Sequence, residues 1–252
     1  MKIKVSCIQM QVDKVDYAKN IAKSILLVEK AAKQGAQLIV LPELFTFSAD
    51  GNFKNMAEKI PLGKTVRLFS KLARKYKAYI IGSIAEQGLY NTAFLVGSSG
   101  YVGKHRKVYG WGKEKKKFKF GDTLEVFNTS IGKIGMLICY EMDFNENARK
   151  LALQGAEIIT VSSAYTDKGE YELHVRARAI ESTSYVIFSN RCGRTGKTVF
   201  SGRSMIADPY SKLIGKLGRN EGVLIKEIDL LKVAKARKEI PYLKDFRREL
   251  YY

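Results

Sequence analysis

The chain of 252 residues is 46% hydrophobic and 27% charged, a globular balance that excludes a disordered or low-complexity polypeptide and suffices for one large core. Its formal net charge of +19 could serve a nucleic-acid face or a solvated lysine-rich surface. The second reading is preferred, because no helix-turn-helix, zinc finger or aromatic RNA-binding signature accompanies the charge. Cys7, Cys139 and Cys192 are widely spaced, with no CxxC pair, which argues against a disulfide framework or zinc site and for a reducing, cytoplasmic setting.

Ile3 to Met10 alternates as a first strand, with no signal-peptide pattern before it and no apolar run long enough to span a bilayer. Asp16 can cap a helix from Tyr17 to Gln34, in which Ile21, Ile25, Val28 and Ala32 recur at helical spacing and which Gly35 closes. Leu38 to Leu41 reads as a strand buried on both faces, ended by Pro42 and followed by Glu43. A helix from Thr65 to Tyr76 precedes a strand from Tyr79 to Ala85, and Thr92–Val96 with Tyr101–Lys107 form a hairpin across Gly97-Ser-Ser-Gly100.

Met136 to Cys139 is a short buried strand cut off by a polar turn, after which Asn145 caps a helix from Glu146 to Gln154. Glu157 to Val161 is the next strand, and Tyr171 to Ser184 the next helix. Tyr185–Ser189, Val199–Ile206, Leu213–Leu217 and Val223–Ile228 complete the strands, ahead of a basic tail that ends in Tyr251 and Tyr252. No Pro/Gly/Ser-rich linker divides the chain, so a single domain over residues 1–252 is expected. The stretch Glu29-Lys-Ala-Ala-Lys-Gln-Gly-Ala-Gln-Leu-Ile-Val-Leu41 is echoed by Arg149-Lys-Leu-Ala-Leu-Gln-Gly-Ala-Glu-Ile-Ile-Thr-Val161. This helix end, Gly-Ala turn and buried strand, used twice, predicts an α/β fold with two sheets and helices outside them.

Strand, sharp turn and helix lift the Cys139 side chain out at a strand's carboxyl end, where a thiol can attack carbon. Glu43, just past a buried strand, can act as a base or be an ordinary surface acid. Lys107 closes a strand beside the single tryptophan, Trp111, and Glu114 is the one acid among the lysines that follow. Gly193-Arg-Thr-Gly-Lys-Thr198 ends like a phosphate-binding loop, but Arg191 stands where that motif needs glycine and a strand pattern follows. His105 and His174 are the only histidines, and His174 reads as a packed or surface residue, which disfavours a Cys–His dyad.

Taken together, Leu41-Pro-Glu-Leu-Phe45, His105-Arg-Lys-Val108 and Ile138-Cys-Tyr-Glu-Met-Asp-Phe144 resemble the three catalytic blocks of the nitrilase superfamily, the carbon–nitrogen hydrolases. Glu114, eight residues before Asp122, falls where that family keeps a second glutamate. Arg176-Ala-Arg-Ala-Ile-Glu181, Phe200-Ser-Gly-Arg-Ser-Met-Ile-Ala-Asp-Pro209 and Arg247-Arg-Glu-Leu-Tyr251 extend the match in family order. The resemblance implies a four-layer αββα sandwich and a homodimer or larger homo-oligomer. It implies an amidase of the carbon–nitrogen hydrolases, in which Cys139 is the nucleophile, Glu43 the proton carrier, Lys107 the oxyanion partner, and Glu114 the group that orients Lys107 or the substrate. No metal or other cofactor is expected.

Tyr140, Met142 and Asp143 are the expected substrate contacts. Many relatives carry arginine and proline in this block, where Asp143 and Asn145 stand here. The pocket is therefore expected to take a neutral or cationic amide rather than to grip a free α-carboxylate. Tyr140 follows the cysteine where the nitrilase branch usually has tryptophan, which favours amides over nitriles. Nitrile or N-carbamoyl-amine hydrolysis on the same residues is the enzymatic alternative, and an inactive, basic nucleic-acid-binding protein the alternative of another class.

Overall fold

In β1 (Lys2–Gln9), Ile3, Val5 and Cys7 pack into one cluster and Ile8 into another, the division expected of a strand covered on both faces. The computed structural model describes residues 1–47, 56–166 and 170–250, and the same division recurs along its other central strands. In β2 (Leu38–Val40), Leu38 and Val40 face one side and Ile39 the other. In β7 (Gly132–Ile138), Ile134, Met136 and Ile138 are separated in this way from Leu137.

Two six-stranded sheets result. One has the order β14-β1-β2-β3-β4-β5, with β3 (Tyr79–Glu86), β4 (Tyr90–Gly97), β5 (Gly100–Arg106) and β14 (Gly222–Asp229). The other has the order β13-β12-β9-β8-β7-β6, with β6 (Val126–Thr129), β8 (Ile158–Ser163), β9 (Tyr185–Asn190), β12 (Met205–Ala207) and β13 (Leu213–Lys216). Between β9 and β12 in sequence, β10 (Cys192–Thr195) and β11 (Thr198–Ser201) form a separate hairpin. Residues from both sheets share one apolar cluster. A second cluster joins the first sheet to α1 (Tyr17–Lys33) and α2 (Lys64–Tyr76), and a third joins the second sheet to α3 (Asn145–Leu153) and α4 (Tyr171–Ser182). Three cores between four layers make the αββα sandwich that was expected.

The internal echo is structural as well. In both sheets the central three strands run parallel and are flanked by antiparallel neighbours: β14 and β4 around β1-β2-β3, β6 and β12 around β7-β8-β9. Gly35 and Gly155 close the equivalent helices at φ +85° and +96°. The amides that follow bond back alike, Ala36 N to Ala31 O at 3.1 Å and Ala156 N to Leu151 O at 3.0 Å. Asp16 caps α1 as expected, accepting from Lys19 N at 2.9 Å.

Several expectations need correction. Asn145 is the first residue of α3 instead of its cap; Phe144 stands at the N-cap with no side-chain bond, because a 3-10 turn over Cys139–Asp143 delivers the chain into the helix. Val199–Ile206 is two strands in different sheets, broken where Gly202 and Arg203 adopt φ +64° and +56°. The second helical expectation, Tyr171–Ser184, stops at Ser182, with Thr183 left-handed at φ +46°. Strand β6 and helix α5 (Leu231–Glu239) were not anticipated, and Tyr251 and Tyr252 lie outside the described residues. Among the described residues no helix is long and apolar enough to cross a membrane.

Candidate active site

Cys139 follows β7 directly and adopts φ +51°, a left-handed conformation that costs a non-glycine residue about 1–2 kcal/mol. The strain turns its side chain away from the strand direction, and the 3-10 turn then carries the chain off into α3. Glu141, on that turn, is fully buried. Its carboxylate accepts from Ile138 N at 2.6 Å, Val108 N at 2.5 Å and His105 Nε2 at 2.8 Å. One carboxylate therefore ties the residue before the cysteine to the residue after Lys107. From α4, the buried Arg178 donates to Met142 O at 2.8 Å and to Asp143 O at 2.9 Å, closing the far end of the same turn.

Glu43 lies just beyond β2 and is 3% exposed. Its backbone is fixed by the second sheet: Glu43 N donates to Ser163 O at 3.2 Å, and the guanidinium of the buried Arg191 donates to the carbonyls of Glu43 at 2.7 Å and Phe47 at 2.8 Å. Its side-chain Oε1 accepts from Asn91 Nδ2 at 2.7 Å and from Lys107 Nζ at 2.7 Å. Lys107, also 3% exposed, donates in addition to Glu114 Oε2 at 2.8 Å. Glu114 sits on a 3-10 turn over Gly112–Lys116 and accepts the Trp111 amide at 3.0 Å. The structure thus brings Glu43, Lys107 and Glu114 into one hydrogen-bonded row, with Cys139 in electrostatic contact with all three.

Burial works against the Lys107 ammonium, but the charges of Glu43, Cys139 and Glu114 outweigh it and lift its pKa above the ordinary lysine value. Burial and then the Glu43 charge raise the Glu114 carboxyl, against the pull of Lys107. The Cys139 thiol is pushed well above its ordinary value, first by burial and then by Glu43, with Lys107 and the Ala164 amide opposing. Burial and the Glu43 carboxylate together outweigh Lys107, and this favours the protonated thiol.

Cys139 opens onto a cavity of about 420 Å³ walled by Trp111, Tyr140, Tyr165 and Phe200, with Asp143 on one side. Tyr140 and Asp143 are among its lining residues. Met142 is not: its side chain is fully buried in the core under α3 and α4, because the turn points it away from the cavity. Neither histidine forms a dyad with the thiol; His105 is bonded to Glu141, and His174 Nδ1 to Asp143 Oδ1 at 2.8 Å. Among the described residues no group of three or more His, Cys, Asp or Glu side chains is arranged to hold a metal ion.

Sequence reasoning missed Asn91, Glu141, Tyr165 and Arg191. The internal echo contained a signal for Tyr165, since aligning Leu41 with Val161 sets Phe45 against Tyr165 just beyond equivalent strands.

The chain matches the family described as carbon-nitrogen hydrolase over residues 4–238. It is 36% identical to a nitrilase of Pyrococcus abyssi, covering 99% of each chain. It is also 36% identical to the omega-amidase NIT2 of Mus musculus, covering 98% of this chain and 96% of that protein. The crystal structure of Saccharomyces cerevisiae Nit3, a member of branch 10 of the nitrilase superfamily, superposes with a TM-score of 0.90 at 28% identity, over 98% of this chain and 96% of that one.

Proposed function

Because the chain belongs to the carbon–nitrogen hydrolase family, we propose that it hydrolyses the C–N bond of a small amide through a cysteine thioester, releasing ammonia or an amine. The observation that carries this reading is the Lys107 ammonium held between Glu43 and Glu114 beside a protonated thiol on a strained turn. Glu43 takes the Cys139 proton as sulfur attacks the carbonyl carbon, and the carbonyl oxygen becomes an oxyanion facing Lys107. A positioned donor at such an oxyanion contributes about 3 kcal/mol to the barrier reduction. Glu43 then passes its proton to the leaving nitrogen, and the C–N bond breaks. A water molecule gives a proton to Glu43, adds to the thioester, and the C–S bond breaks as the proton returns to sulfur. Glu114 fixes Lys107 from the side opposite Glu43.

An amide is favoured over a nitrile by Tyr140 beside the nucleophile. The cavity wall offers no described cation to a free α-carboxylate, which supports a neutral or cationic substrate and counts against N-carbamoyl amino acids. We read the chain as one carbon–nitrogen hydrolase domain over residues 1–252, a view supported by the core that both sheets share. We also read it as a cytoplasmic homodimer or larger homo-oligomer. All three cysteines are free thiols, which suits a reducing compartment. Its net charge of +19 is read as solvated surface, not as a nucleic-acid face.

The test is ammonia release from small amides, nitriles and carbamoyl compounds by wild type and Cys139→Ala. Turnover of amides that falls at least a thousandfold in the variant, with an acyl adduct on Cys139 in the intact mass of wild type, is expected. Activity that survives the substitution would sink the thiol mechanism, and nitriles ranking first by kcat/KM would sink the amide preference.

A further inference from the structure

Asp143 is the one charged side chain among the described residues that line the cavity. It stands four residues beyond Cys139 on the 3-10 turn, about 8 Å along the axis of that turn. Its carboxylate is 24% exposed and is bonded on one side only. Oδ1 accepts from the Tyr165 hydroxyl and from His174 Nδ1, whereas Oδ2 has no hydrogen-bond partner among the described residues. Tyr165 is held as a neutral phenol, its pKa raised by burial and by the nearby charges of Cys139 and Asp143, so it donates and brings no charge. The turn beneath is fixed by Arg178, which spends two of its donors on the backbone carbonyls of Met142 and Asp143 and another on Glu181. That guanidinium is thus turned to the backbone and to α4, not to the Asp143 carboxylate.

An oriented carboxylate with one oxygen unbonded among the described residues, in a cavity whose other described lining is aromatic rings and small side chains, is a receptor for a cation. The aromatic residues Trp111, Tyr140 and Tyr165 beside it suit a cation better than an anion. We propose that Asp143 is the specificity-determining residue, and that Oδ2 binds an ammonium or guanidinium group carried on the acyl portion of the amide, a few carbons from the scissile carbonyl. This rests on the amidase reading and narrows it to amides of cationic acids. An acyl portion ending in a carboxylate is repelled by the same group.

The experiment compares three primary amides of similar length: γ-aminobutyramide, which is cationic, valeramide, which is neutral, and succinamate, which is anionic. Wild type is expected to rank them in that order by kcat/KM. In Asp143→Asn, which keeps an oxygen for Tyr165 and His174, the preference for γ-aminobutyramide over valeramide is expected to fall about tenfold, the order of one partly desolvated ion pair. The fall should come through KM. Should succinamate rank first in wild type, or should Asp143→Asn depress all three amides in equal proportion, Asp143 only positions the turn and the proposal is overturned. Absence of both turnover and Cys139 adduct with all three amides would instead overturn the amidase reading, and this inference with it.

Discussion

Glu141 shows how a residue that never meets substrate can govern one that does. Each of its oxygens accepts a backbone amide, Oε1 that of Val108 and Oε2 that of Ile138. In Glu141→Gln the new NH2 must face one of those two N–H groups, leaving a buried donor against a donor, at about 1–3 kcal/mol. The expected outcome is a lower urea midpoint and a fall of about tenfold or more in kcat with KM little changed, since the turn bearing Cys139 and the segment bearing Lys107 lose their common anchor. Unchanged kcat in a folded variant would show that the anchor is dispensable. The four candidate residues, Glu43, Lys107, Glu114 and Cys139, were legible in sequence, because each stands in a short block of distinctive neighbours. Glu141 lay in plain view inside one such block, yet its role depends on Val108, 33 residues away, and no local pattern reports that pairing. Met142 failed for a related reason: a 3-10 turn rotates successive side chains by a third of a circle, so the neighbour of a cavity residue can point into the core.

The helix-to-strand connections were read correctly because their chemistry is local. A glycine after the last helical turn, then a buried apolar run, needs no tertiary information. The two copies give a paired prediction. Gly35 and Gly155 share a positive φ, and a Cβ added at either would meet, beyond its chain neighbours, only the side chains of Lys4 and Lys133, at 3.6 Å and 3.5 Å. Gly35→Ala and Gly155→Ala should therefore each cost about 1–2 kcal/mol through backbone strain alone, by denaturant unfolding, with kcat within about twofold of wild type. A large difference between the two costs would contradict the equivalence of the two halves. Elements that take their form from distant partners were less legible. Val199 to Ile206 has strand composition throughout, but Gly202 comes so close to the Gln9 side chain and the Gly218 carbonyl that the run must break there. Helix α5 carries little apolar periodicity; only Val233 and Ala236 are buried, so its sequence resembles that of a solvated basic segment.

At the scale of the whole molecule, three buried thiols link stability to alkaline pH. Burial lifts Cys7 and Cys139 far above the ordinary cysteine value of 9.0, and pushes Cys192 up to about 12. A folded-state pKa raised above the unfolded one contributes stability that is complete below the unfolded value and is lost as pH rises toward the folded one. Above pH 9.0 the unfolded chain releases these protons while the folded chain keeps them, so each thiol lowers stability by about 1.4 kcal/mol per pH unit. The urea midpoint should be flat from neutrality to about pH 8.5 and fall steeply beyond it; a midpoint constant to about pH 10.5 would refute the linkage. The two-sheet architecture has a further consequence. Glu43, Asn91, Lys107 and Glu114 all precede β6, whereas Cys139, Tyr165 and Arg191 all follow it, so the proposed base and the proposed nucleophile belong to opposite halves of the duplicated plan. During synthesis the half bearing Glu43 and Lys107 emerges first, without Cys139. When Cys139 follows, it meets its proton acceptor only once the second sheet has docked and Arg191 has gripped the loop beyond β2. The proposed reactivity is in that sense a readout of assembly: a chain whose two sheets have not packed together carries an ordinary cysteine.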